Sequence, residues 1–311
     1  MDIDISNIIL NIKESPDDNR DWIYDKRVNI NIGKAKTVLD YRKDLLPIRN
    51  QGSQGTCYAQ ASACMKEWQE KKDYGLNNYL SPQFFYNNRN NWYDDDPNND
   101  EGMFGRNVMK LLKEVGICLE SDYPYGLIEK KNLIDQDYYI KAERHKISGY
   151  ARVISLDGLI HSLNNNGPCL IAFPVYNYSM EMWKQQKNET LKGGHAMAIV
   201  GYLEDCFIIR NSWGEFWGDY GYCYYYFKDW GKHWEIWTTI DSIEKDIPNP
   251  EPFLPHPPNP EPAPDPELDP EPEPENSESD NEIVSDNDLD NDNIKDDDLK
   301  YYYDCPKCSI S

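Results

Sequence analysis

No stretch of this 311-residue chain is long and apolar enough to cross a membrane, and its longest apolar runs, such as CLIAFPVY (169–176), have the length of buried strands. The opening residues MDIDISNIIL begin acidic and are broken by Asn, so neither a secretory leader nor a membrane partner is expected. Only 5 histidines occur, and CxxC is found once, as CPKC at Cys305–Cys308. Without a second CxxC or a spaced His pair the chain lacks a tetrahedral zinc set, so no metal and no cofactor are expected. CPKC reads first as a solvated or partner-binding end, with a redox or metal role as the alternative. Basic residues are outnumbered 32 to 55, which argues against a nucleic-acid partner.

What the chain has in abundance is acid, unevenly placed. Residues 248–311 carry 19 acidic and 3 basic side chains and 14 of the 21 prolines, so most of the net charge of −23 lies there. A segment such as PNPEPAPDPELDPEPEPENSESDNE has too little apolar surface to offset its chain entropy, and its prolines favour extended geometry. It is expected to be a disordered acidic tail (246–311). Its plain role is a solubilising spacer, and binding to a basic partner is the alternative. An N-terminal extension (1–40) and one folded domain (41–245) account for the rest.

Within that domain, QGSQGTCYAQASA (51–63) sets a cysteine after a Gly-rich turn and at the head of an apolar helical pattern, with Cys57, Ala61 and Cys64 on one face. A cysteine in the first helical turn faces free backbone N–H groups and the positive end of the helix dipole, which favour the thiolate. Two segments far downstream complete a pattern: GGHAMAIVGY (193–202) and NSWGEFWGDYGY (211–222). His195 lies 138 residues beyond Cys57, and Asn211 a further 16. Alone, Cys57 would be read as a buried structural thiol and His195 as a satisfied core histidine. The joint occurrence with Gln51 reverses both readings.

These segments resemble those of the papain-like cysteine peptidases. The resemblance implies an α+β fold with a helical half, a β-barrel-like half and an active-site cleft between them. It also implies roles: Cys57 as nucleophile, His195 as base, Asn211 as its orienter, and the Gln51 side chain with the Cys57 N–H as oxyanion donors. Trp213 would shield the His–Asn bond, Trp217 would line the leaving-group side, and Gly55 would let the backbone fold under the sulfur. Gly102 and Gly194 would bind substrate; Met103 stands where many relatives have a second glycine. The substrate expected is a protein or peptide, cleaved through a thiolate–imidazolium pair and a thioester. The alternatives are a papain-like fold kept for binding and another Cys–His acyl-transfer enzyme.

Three departures carry further expectations. Gln54 stands where relatives have the first cysteine of a disulfide, which fits folding in a reducing compartment. Fewer than 57 residues precede the nucleophile, shorter than the family's helical propeptide, so control by other means or synthesis in active form is expected. Runs such as NNRNN with abundant Ile, Lys and Asp suggest an AT-rich genome, and the expected location is the cytoplasm or, for a large DNA virus, the virion.

Among other elements, Ser81 before Pro82 marks a helix start, and Val108, Leu111, Leu112 and Val115 repeat at helical spacing. After Gly167 short Ile-, Val-, Phe- and Tyr-rich runs indicate strands. Cys64, Cys118, Cys169, Cys206 and Cys223 are read as core filling. His145, His161, His233 and His256 belong to no recognisable set.

Overall fold

The computed structural model describes residues 7–89, 100 and 102–240. The acidic tail, the CPKC end, His256 and the last two residues of the NNRNN run (87–91) lie outside them.

The helices are α1 (Tyr24–Arg27), α2 (Cys57–Tyr74), α3 (Pro82–Asn87), α4 (Gly105–Glu114), α5 (Gln136–Glu143) and α6 (Leu156–Asn166). The strands are β1 (Leu39–Asp40), β2 (Gly149–Arg152), β3 (Cys169–Val175), β4 (Gly193–Tyr202), β5 (Cys206–Arg210), β6 (Tyr222–Tyr226) and β7 (Glu235–Ile240).

Helix α2 is the axis of the helical half and is buried along its first fourteen residues. A helix so enclosed must pair its polar groups. Glu67 meets Arg49 at 2.7 Å and the Leu80 N–H at 2.9 Å, and Gln69 donates to the Thr239 hydroxyl at 2.6 Å. Lys66 Nζ lies 2.8 Å from one Glu70 oxygen and His145 Nδ1 3.0 Å from the other. The helix stops at Gly75, whose φ of 70° lets its N–H turn back to the Glu70 and Lys71 carbonyls. Ser81 caps α3 by accepting the Phe84 N–H at 3.0 Å, with Pro82 opening the helix. The Val108, Leu111 and Leu112 stripe of α4 faces the core.

The strands form one sheet in the order β2-β7-β3-β4-β5-β6, with β1 attached beside β4. Here the expected β-barrel-like half is corrected: the sheet is not closed into a barrel. Its end strands β2 and β6 each have a single strand neighbour and do not pair with one another. The free edge of β2 is taken by the N-terminal segment, where the Arg152 N–H donates to the Trp22 carbonyl at 2.7 Å. That edge is therefore capped locally, which meets the same backbone need that closure would meet. The result is a mixed α+β fold with an open sheet packed on a helical half. Strand β3 is buried throughout and pairs in antiparallel register with β4, Phe173 opposite His195. Six strands, β2 to β7, and two helices, α5 and α6, lie after residue 135, and five of those strands follow Gly167.

Candidate active site

Cys57 is the first residue of α2, and no acidic side chain occupies that first turn. The sulfur lies against the backbone amide of Ala196, so the thiol meets β4 beside His195. On the far side of the ring, His195 Nε2 and Asn211 Oδ1 are 2.7 Å apart. Asn211 Oδ1 also accepts the Ser212 N–H at 2.7 Å, which fixes the amide's orientation. The Trp213 indole stacks on the imidazole with centroids 4.3 Å apart, and Trp217 meets Trp213 edge-on at 5.3 Å. Trp217 is itself fixed by a 2.9 Å bond from its Nε1 to the Tyr178 carbonyl.

Gln51 is held from three sides. Its Oε1 accepts the Ser212 hydroxyl at 2.7 Å, its Nε2 donates to the Gln54 carbonyl at 2.9 Å, and its backbone N–H donates to the Ser212 carbonyl. One Nε2 hydrogen remains for another acceptor. Asn211, Ser212 and Gln51 thus form one hydrogen-bonded chain behind the thiol and the imidazole.

The N-terminal segment crosses this cleft. Asn11 pairs with Gly194 and Lys13 with Phe104, both in parallel sense. Ile12 is buried in the apolar cluster that contains Met103, Ala196 and Trp237. The Leu10 carbonyl lies against Gly193, where a Cβ would collide with it. Beneath this strap Cys57 and His195 are 0% exposed. The two glycines expected to bind substrate, Gly102 and Gly194, therefore face the chain's own residues 11 and 12. Gly55 is packed the same way, against Asn11 and Asp100.

Burial sets the protonation of the covered site. It pushes the Cys57 thiol up to about 12, against the pull of the Ala196 and Tyr58 amides and with a further push from Asp100. It pushes His195 down to about 4, against the bond to Asn211. Under the strap both groups are neutral near pH 7. In an uncovered cleft water would solvate both a thiolate and an imidazolium, and the positive end of the α2 dipole would favour the thiolate.

The strap, Asp100 and the partners of Gln51 are not visible as motifs. Glu235 is a further buried group: it accepts the Tyr58 hydroxyl at 2.7 Å, the Gly105 N–H at 3.2 Å and the Trp237 Nε1–H at 2.8 Å. The histidines outside the site have partners of their own, Tyr24 for His161 and Tyr225 for His233, each at 2.9 Å. All six cysteines among the described residues are free and buried. No group of His, Cys, Asp and Glu among those residues is arranged to hold a metal ion.

An α+β fold with a helix-borne thiol, an imidazole on the facing sheet and an asparagine behind it defines a thiol hydrolase. The chain belongs to the papain family of cysteine proteases, whose family profile matches residues 35–237. Cysteine proteinase 1 of Entamoeba histolytica is 29% identical over 231 residues, covering 70% of each chain. A peptidase C1-like protein of Acanthamoeba polyphaga mimivirus is 26% identical over 256 residues, covering 75% of this chain and 78% of that one. Among solved structures, xylellain, a cysteine protease from Xylella fastidiosa, superposes with a TM-score of 0.65 at 25% identity, over 75% of this chain and 96% of its own. The chain is a thiol protease that acts on protein or peptide substrates.

Proposed function

We propose that Cys57 is the nucleophile of this protease and His195 its base, held by Asn211. The observation that carries the reading is the 2.7 Å His195–Asn211 bond, on a strand whose next residue, Ala196, meets the thiol at the start of α2 through its backbone amide. The ring nitrogen facing away from Asn211, Nδ1, makes no hydrogen bond of its own and is free to take the thiol proton. The thiolate then adds to the peptide carbonyl carbon, and the electron pair moves to oxygen. The remaining Gln51 Nε2–H and the Cys57 N–H receive that charge. Collapse breaks the C–N bond as His195 returns its proton to the leaving amine. Water, deprotonated by His195, cleaves the thioester and restores the thiol.

The strap makes the covered form latent, because a substrate strand needs the same glycines. The free cysteines support work in a reducing compartment, the cytoplasm or a virion interior. The acidic tail would recruit a basic partner. Hydrolysis of a mixed peptide library by the full chain carrying Ile12→Asp, abolished by Cys57→Ala, tests the reading. A folded Ile12→Asp protein that cleaves nothing contradicts it.

A further inference from the structure

Asp100 is a carboxylate in the cleft for which the mechanism has no use. Its Oδ2 accepts the Gly55 N–H at 2.6 Å, two residues before the nucleophile. Its Oδ1 accepts the Tyr86 hydroxyl and, at 3.0 Å, the Asn11 side-chain amide, which donates also to the Asp100 carbonyl. Every one of these donors is neutral. Two of them, Gly55 and Tyr86, belong to the cleft itself, whereas the Asn11 amide leaves with the strap. The carboxylate then regains an acceptor position, and the strongest donor for it is a cation.

The place Asn11 occupies is a passage between glycines. A Cβ on Gly102 would fall 2.5 Å from Asn11 Oδ1, and one on Gly55 would collide with both Asn11 Nδ2 and Asp100 Oδ1. Only a backbone without side chains on these walls leaves room for an incoming side chain. Gly55 borders Cys57 through a single residue, so the substrate residue beside it is the one whose carbonyl the sulfur attacks.

We propose that Asp100 selects substrates carrying Lys or Arg on the residue whose carbonyl Cys57 attacks, in the passage that Asn11 fills while the strap is docked. This rests on the peptidase reading of Cys57. Two consequences favour the arrangement. A cation there neutralises the charge that opposes ionisation of the neighbouring thiol. The chain's net charge of −23 also draws basic segments toward the enzyme.

The test uses the full chain with Ile12→Asp and fluorogenic peptides that differ only at the residue before the cleaved bond: Arg, Lys, Gln, Met or Glu. The expected kcat/KM for Arg and Lys exceeds that for Gln and Met by about tenfold or more, the usual worth of a charge-assisted bond. Asp100→Asn in the same background reduces that ratio to about threefold or less, and Asp100→Lys turns the preference toward Glu. A second measurement needs no Asp100 variant: a synthetic peptide of residues 7–16 with Asn11→Arg inhibits at lower concentration than the unsubstituted peptide. Equal rates across the series, or a ratio unchanged by Asp100→Asn, overturn the inference and leave the peptidase reading intact. No hydrolysis of any peptide, with Cys57 unlabelled by a thiol-directed epoxide, overturns both.

Discussion

His195 Nε2 and Asn211 Oδ1 lie 2.7 Å apart beneath the stacked indole of Trp213, and the asparagine oxygen is turned to the ring by the Ser212 N–H. A neutral acceptor orients the imidazole without adding a charge to a pair that must supply its own. Removing it frees the ring to rotate. Asn211→Ala is expected to lower kcat/KM by about tenfold to a hundredfold, the worth of a hydrogen bond to a charged group, with the fold retained by circular dichroism. An unchanged rate would show that the packing of Trp213 alone holds the ring.

Gln51 offers a different loss. Its amide is anchored at Oε1 and at one Nε2 hydrogen, leaving the other hydrogen for the oxyanion of the proposed mechanism. Gln51→Ala should reduce kcat by about a hundredfold to a thousandfold with little change in KM. A change confined to KM would assign the side chain to binding.

The strap predicts latency. Ile12 sits in the apolar cluster with Met103 and Ala196, so Ile12→Asp places a charge where it cannot be solvated and favours release. Peptide hydrolysis by Ile12→Asp should exceed that of the native chain by about tenfold or more, since an anion buried without a partner costs several kcal/mol. Equal rates would mean that the strap leaves the cleft unaided.

The buried histidines predict a direction for acid sensitivity. Burial lowers both His195 and His233 to about 4 from an ordinary 6.5. Between pH 6.5 and 4 the unfolded chain binds these protons and the folded chain does not. Their contribution to stability is therefore present above 6.5 and lost as pH falls to 4, at about 1.4 kcal/mol per pH unit for each group. Urea unfolding at pH 7 and pH 4.5 reads the slope, and His233→Gln should reduce it. An unchanged slope in that variant would contradict the account of His233.

Glu235 joins α2, α4 and β7 through Tyr58, Gly105 and Trp237. Glu235→Ala leaves these donors buried without an acceptor, at about 1–3 kcal/mol for each. The urea midpoint should fall sharply, and less for Glu235→Gln, which keeps one acceptor oxygen. A midpoint equal to the native one would show that water replaces the carboxylate.

Much of this architecture is legible in the residues because it depends on local patterns. The start of α2 after a Gly-rich turn, the Ser81–Pro82 cap and the β-rich runs after Gly167 are all local signals. The openness of the sheet is not one of them. Whether β2 meets β6 depends on what else reaches the edge of β2, and residues 22–23 reach it from far away in the chain. The strap is invisible for the same reason: Leu10 to Lys13 form no element of their own and acquire meaning only against Gly193, Gly194 and Phe104. Asp100 is one acid among 55 until its bond to Gly55 places it beside the turn that leads into Cys57.

The central claim, a thiol made reactive by His195 and covered by the chain's own strap, is tested most directly by covalent labelling with an epoxide selective for papain-like thiols. Intact mass and peptide mapping are read for the native chain, Ile12→Asp, and Ile12→Asp with His195→Ala. The account predicts a single adduct on Cys57, faster in Ile12→Asp than in the native chain and lost with His195→Ala. No adduct on Cys57 in a folded Ile12→Asp protein under reducing conditions, or an adduct indifferent to His195, would contradict it.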